Sequence, residues 1–361
     1  MAFMIDEMLE HIVKEGFTSQ EIKQAIRETL SPYFNNKDIL NKYLLDSQFV
    51  SIFGYLMVYQ KDDVFINELK NIINIYKGAL KANSEKTVNT IIFSAEEFGQ
   101  KENLMWNVKR DTPNIVSEDI YDATIQYMKH LGETLELAVK TELMELYALI
   151  LISLNKDFDY SMIRKINFGV IINNILSQGF LKDILCTSPP VEIKLSDWRN
   201  ISYHHSFYIE GSKIRCVYGK DQKSFTILLE QLKQYTAEII RASNIIDIGR
   251  RIFLFDNMEC LSGKFSSTTV THDRDVMKIG QLKTSLLTQG FQIIKSSNKE
   301  STSEIVVVDL RNNGELNKDE LIMRKIHSTQ FLYKLWQEVP NDIIKLVYCD
   351  AKGTRLFVYG K

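Results

Sequence analysis

The chain has 361 residues, 45% of them hydrophobic and 25% charged. These are ordinary globular proportions, with room for two or three domains. A net charge of −2 speaks against a protein that coats nucleic acid through one large basic face, but it leaves room for a small cationic groove around a single phosphate.

Four separated cysteines, Cys186, Cys216, Cys260 and Cys349, form no C-x-x-C pair. Neither a zinc site nor a disulfide framework is expected, and no cofactor is implied. Thiols this sparse suit a reducing cytoplasm. Acids within the apolar pattern of "MAFMIDEMLEHIVKEG" speak against a signal peptide. The most apolar run, "LMELYALILISL", is too short to cross a bilayer. The expectation is a soluble, cytoplasmic protein with no membrane partner.

In chain order, the first hundred residues read as helical. "FMIDEMLEHIV" has helical apolar spacing and Gly16 stops it, and "TSQE" (Thr18 to Glu21) is a capping box for the next helix. "KDILNKYLL", "QFVSIFGYLMVY" and "VFINELKNIINIYKGAL" continue the pattern. Pro113 breaks it and Ser117 re-caps it. A long helix is expected from Glu118 to Leu154, with a break near Gly132, and a second from Tyr160 to Leu185. "CTSPPVEIKLS" is an extended connection, since each proline restricts the residue before it. Ser196 is placed as the cap of a short helix carrying "DWRNISYHH". "SFYIEGSKIRCVYG" alternates around a Gly-Ser turn, a hairpin signature. "SFTILLEQLKQYTAEIIRASNIIDIGRRIFLF" then reads as another long helix.

After Ser262 the texture changes. "GFQIIKS" and "SEIVVVDL" read as strands, "KDELIMRKIHSTQFLYKLWQEV" as an amphipathic helix, and "IIKLVYCDAKGTRLFVYG" as a closing hairpin. The expected architecture is mainly α. It comprises a helical N-terminal unit (1–112), a central helical bundle with a β-hairpin (113–262) and a small α/β C-terminal module (263–361).

The stretch "DWRNISYHHSFYI" concentrates polar chemistry. Arg199, Asn200, His204 and His205 fall within seven positions, and two of the chain's six histidines stand side by side. "RNISYH" (Arg199 to His204) fits R-x4-H, with a polar residue following the arginine, on a short helix within an all-α unit. This resembles the HEPN superfamily, α-helical domains of prokaryotic defence systems and RNA processing. The order of two longer helices, motif helix and final helix also fits that family's bundle. The resemblance covers about 150 residues and extends into neither flank. It implies a metal-independent endoribonuclease that dimerises with its motifs facing each other, used as a toxin or antiphage effector. The alternative is a noncatalytic module of the same fold that binds RNA or a regulatory protein partner.

The residue types suit RNA cleavage. A histidine, with its pKa near neutrality, takes the 2′-hydroxyl proton or protonates the leaving 5′-oxygen. An arginine's fixed fork of donors holds the nonbridging oxygens as negative charge builds. The products are a 2′,3′-cyclic phosphate and a 5′-hydroxyl. One geometric point intervenes. Positions five apart on a straight helix diverge by about 140°, so Arg199 and His204 converge only if the helix ends or bends there, or if a second chain completes the site. Asn200 and His204, four apart, share a face, and His205 is the reserve imidazole. The structural alternative is that Arg199 pairs with a nearby acid and the histidines cap a helix C-terminus.

Two further patterns have simpler explanations. "DLRNNGELNKDE" (Asp309 to Glu320) imitates a calcium loop, but Arg311 stands where an oxygen ligand is needed, so a turn and helix start are expected instead. "CDAKG" holds an Asp-x-Lys (Asp350, Lys352) after one strand and Asp309 ends another, a pairing that metal-dependent DNA nucleases use, whereas a hairpin turn accounts for the same residues. "THDRD" (Thr271 to Asp275) reads as a helix start.

Overall fold

The structure is a computed structural model that describes residues 2–110, 119–262, 264, 274–299, 301–339 and 341–360. The expected break at Pro113, the cap at Ser117 and the first part of the Thr271–Asp275 stretch lie outside these residues. The fold is mainly helical with two small sheets. It separates into two compact units, residues 1–58 with 273–361, and residues 59–272. The expected division at 112 and 262 is therefore not the one the packing makes.

The chain begins with α1 (Ala2–Lys14), α2 (Ser19–Leu30), α3 (Lys37–Tyr43) and α4 (Ser47–Val58). Gly16 follows α1 at φ +92°, a left-handed conformation that suits glycine. Thr18 caps α2 as read: Glu21 N–H donates to the Thr18 hydroxyl at 3.2 Å, and the Glu21 carboxylate accepts from Thr18 N–H at 2.7 Å.

The second unit opens with α5 (Asp63–Ala82) and α6 (Ser84–Arg110). The expected Glu118–Leu154 helix is built as α7 (Ile120–Glu133), a π turn (Thr134–Val139) and α8 (Lys140–Ser153). In the π turn the Lys140 N–H reaches back five residues to the Leu135 carbonyl. The expected Tyr160–Leu185 helix is broken into α9 (Tyr160–Ile163), α10 (Phe168–Ser177) and α11 (Lys182–Leu185). Gly179 (φ +80°) and Leu181 (φ +59°) turn the chain left-handed, which no continuous α-helix allows.

The motif helix α12 spans Leu195–Tyr203 with Lys194, not Ser196, at its N-cap. Ser196 is buried instead. It is followed by β1 (Phe207–Glu210), β2 (Lys213–Tyr218) and β3 (Lys223–Leu228), an antiparallel sheet in that order. The third strand takes "KSFTIL", which helical spacing assigns to the following helix. Paired with β2, its Ile227 is buried beside Ile214, and Phe225 pairs with Cys216. This inward alternation suits β-branched and aromatic residues. Then come α13 (Leu229–Asp256) and α14 (Met258–Ser262).

α5 packs on α13 and α8, which is why it belongs with the central unit. Gly249 of α13 lies so close to α5 that a Cβ there would clash with the Ile72 side chain. Two carboxylates of α8, Glu142 and Glu145, are fully buried. Glu145 pairs with Arg250 at 2.9 Å and accepts the hydroxyls of Tyr76 and Ser94. Glu142 pairs with Lys101 at 2.7 Å and accepts from Ser243 at 3.2 Å. Buried charges persist only when partnered in this way.

The first unit resumes with α15 (Asp275–Leu287), β4 (Phe291–Lys299), β5 (Thr302–Asp309), α16 (Lys318–Glu338), β6 (Ile343–Cys349) and β7 (Arg355–Gly360). The sheet order is β4-β5-β6-β7, with β5 and β6 parallel across the α16 crossover and the outer pairs antiparallel. Its core gathers Leu286, Phe291, Val307, Phe331, Leu346 and Tyr348. α15 also packs on α1 and α4. Thr284 donates to Asp6 at 2.8 Å, and Gln292 donates to Glu10 at 2.6 Å.

Candidate functional site

The site is built by what α12 buries. Leu195, Trp198, Ile201 and Ser202 face inward. Trp198 is fully buried, stands 5.5 Å from Phe225 and 5.3 Å from Tyr235 between ring centroids, and donates its indole N–H to Thr187 Oγ1 at 3.0 Å. On the next face, α12 lies close against α7. A Cβ on Gly132 would come within 2.9 Å of Ser202 Oγ. That anchoring leaves Arg199, Asn200 and Tyr203 on the outer side.

Arg199 is half-buried and engaged. Its Nε donates to Glu136 Oε2 at 3.0 Å, its Nη1 to Asn200 Oδ1 at 3.3 Å, and its guanidinium lies 4.7 Å from the Tyr203 ring centroid. Glu136 comes from the π turn and also accepts from Lys140 at 2.6 Å. Burial alone would raise the Glu136 pKa. The hydrogen bonds and charges of Lys140 and Arg199 outweigh it and hold the carboxyl below its ordinary range. The pairing of Arg199 with an acid, weighed from sequence as the structural alternative, is thus present.

The helix ends immediately before the histidines. α12 stops at Tyr203, and His204 is its C-cap, donating its N–H to the Asn200 carbonyl at 3.0 Å. His205 follows at φ +51°, and Ser206 N–H donates to the Ile201 carbonyl at 2.9 Å. This is a Schellman end with a histidine in the position glycine usually takes. A non-glycine residue there carries local strain, a feature that concentrates at functional sites. Both imidazoles are exposed. Arg199, Asn200, Tyr203 and Glu136 are therefore brought together, and the two histidines stand at the next turn. Among the described residues, no hydrogen bond joins either imidazole to Arg199 or Asn200.

Two clefts, of 690 and 280 Å³, are lined by other residues and include none of the motif side chains. In the first unit, Asp309 is fully buried, held by Arg324 at 2.6 and 2.9 Å and by the Tyr348 hydroxyl at 2.6 Å. Asp350 accepts Lys352 and Thr354 N–H groups in the β6–β7 turn at 3.0 and 2.8 Å. Glu320 closes a capping box on Asn317. The acids of both C-terminal patterns thus have structural uses. Among the described residues, no group of three His, Cys, Asp or Glu side chains is placed to hold a metal ion, and no helix is long and apolar enough to cross a membrane.

No family model, no curated protein and no solved structure matches the chain. The site therefore rests on its own residues. Sequence reasoning missed Glu136, whose only local signal is Lys140 four residues later, an ordinary solvated spacing. It also missed Tyr203 as the stacking partner of Arg199, although i,i+4 spacing places the two on one face.

Proposed function

We propose that the protein is a HEPN-type endoribonuclease that cleaves RNA without a metal and acts in the cytoplasm as a toxin or antiphage effector. The supporting observation is that the helix carrying Arg199 and Asn200 ends directly in the exposed His204–His205 turn. In this reading the RNA 2′-oxygen attacks its own phosphorus and the P–O5′ bond breaks. His204 takes the 2′ proton while water protonates the departing 5′-oxygen, or it protonates that oxygen while water takes the 2′ proton. Arg199 holds the nonbridging oxygens, Asn200 orients the arginine, and His205 is the alternative imidazole. A phosphate that binds Arg199 competes with Glu136 for the guanidinium. Release of end-labelled RNA fragments bearing 2′,3′-cyclic phosphates, in the presence of EDTA, tests the reading; intact RNA refutes it.

We further propose a homodimer through residues 113–262, in which a second copy brings its arginine and histidine beside the first. Mixing an Arg199→Ala chain with a His204→Ala chain should restore part of the cleavage; no restoration counts against a shared site.

The Arg199–Glu136 pair favours a second reading, a noncatalytic HEPN-like module that binds RNA or a regulatory protein in a defence complex. It predicts RNA or partner binding with no cleavage under any condition.

A further inference from the structure

The β1–β3 sheet leaves the His204–His205 turn and presents one face outward. The register places Tyr208, Arg215 and Thr226 in one row and Glu210, Lys213 and Leu228 in the next. All six are exposed, whereas the alternate row of Ile209, Ile214 and Ile227 turns inward, with Ile214 and Ile227 fully buried. Tyr208 is 60% exposed, and Tyr203, on the other side of the histidine turn, is 55% exposed. A large aromatic left in solvent on a sheet face is a stacking surface open to a planar partner. The surrounding charge has the sign a phosphate backbone needs. Between residues 206 and 228 the cations Lys213, Arg215, Lys220 and Lys223 outnumber the carboxylates Glu210 and Asp221, in a chain whose net charge is −2.

We infer that the outer face of the β1–β3 sheet is a binding site for an unpaired RNA strand running out of the cleavage site, with Tyr208 stacking a base and Lys213 and Arg215 holding the phosphates beside it. The inference rests on the proposed ribonuclease reading of the neighbouring helix end. Unpaired RNA is specified because a tyrosine face stacks only on bases whose own faces are open, and those of an A-form duplex are closed. The strand would continue from Tyr203, across the histidines, to Tyr208. Arg215 now lies 3.8 Å from Glu210, a loose and exposed pair that a phosphate can replace.

The probe is a fluorescent 2′-O-methyl oligonucleotide, which cannot be cut because its 2′-oxygen is blocked, read by anisotropy with the full chain. The single strand should bind at least tenfold more tightly than the same oligonucleotide annealed to its complement. Tyr208→Ala should weaken binding about fivefold or more, and Tyr208→Trp should retain it. The double variant Lys213→Glu, Arg215→Glu should weaken binding and flatten its salt dependence. Equal binding of the duplex, or wild-type affinity in Tyr208→Ala, overturns the site. Cleavage of a dinucleoside phosphate, too short to reach the sheet, is measured alongside. If wild type cuts it while Tyr208→Ala binds the oligonucleotide normally, the sheet site falls and the ribonuclease stands. If a long labelled RNA stays uncut in EDTA while oligonucleotide binding depends on Tyr208, the ribonuclease reading falls and the sheet stands as an RNA-binding surface alone.

Discussion

Arg199 Nε donates to Glu136 Oε2 at 3.0 Å, across 63 residues of sequence, tying the motif helix to a π turn. Each side chain is roughly a quarter exposed, and a pair in such a setting is worth roughly 1 kcal/mol or less. If phosphate and Glu136 compete for Arg199, Glu136→Gln should tighten RNA binding by up to about fivefold. Titration of uncleavable RNA measures it. Weaker binding in the variant would mean instead that Glu136 holds Arg199 in the pose the RNA uses.

His205 at φ +51° separates the roles of the two imidazoles. Glycine adopts that conformation without strain, so His205→Gly should leave the turn intact and raise stability by roughly 0.5–1 kcal/mol. With His204 as the acid or base, cleavage should persist near the wild-type rate. A stable but inactive His205→Gly protein would transfer the role to His205.

Glu145 and Arg250 form a buried ion pair in the central unit, and removing one partner alone is costly. Glu145→Ala strands Arg250 in the core and leaves the Tyr76 hydroxyl without its acceptor, a loss of roughly 3–5 kcal/mol in urea unfolding. Replacing both members, as in Glu145→Leu with Arg250→Met, should cost less than Glu145→Ala alone. A loss below about 1 kcal/mol for Glu145→Ala would show that water reaches the network.

Burial in α7 pushes the His130 imidazole below its ordinary pKa. The unfolded chain therefore takes up this proton first as the pH falls. The stabilising contribution is fully present above the unfolded value near 6.5 and is lost as the pH drops through the folded value. His130→Phe should flatten that part of the stability profile between about pH 7 and 5. An unchanged slope in the variant would place the proton uptake elsewhere.

How much of this was legible depended on the range of the interaction. The Thr18–Glu21 capping box, the Asn317–Glu320 helix start and the Asp350 turn are local, and spacing alone finds them. The third strand, Lys223–Leu228, was hidden because a short apolar run abutting a helix has no period of its own. Pairing with β2 decides it. The grouping of the N-terminal helices with the C-terminal sheet depends on contacts such as Thr284 with Asp6, 278 residues apart, which no local pattern carries. In the site, the residue types and the early helix end were readable from "RNISYHHS". Glu136 was not, since its partner comes from a distant helix. The buried carboxylates Glu142 and Glu145 left only a faint trace, two acids three apart on a helix whose apolar residues run round every face.

The central claim is that the α12 end cuts RNA through an imidazole, and parallel cleavage of a labelled RNA in EDTA by wild type, Arg199→Ala, His204→Ala and His205→Ala tests it most directly. The account predicts 2′,3′-cyclic phosphate products from wild type and His205→Ala, and at least a hundredfold loss in Arg199→Ala and His204→Ala with folding preserved, as expected when a general acid or base is removed. Undiminished cleavage in both histidine variants, or cleavage that EDTA abolishes and magnesium restores, would contradict it.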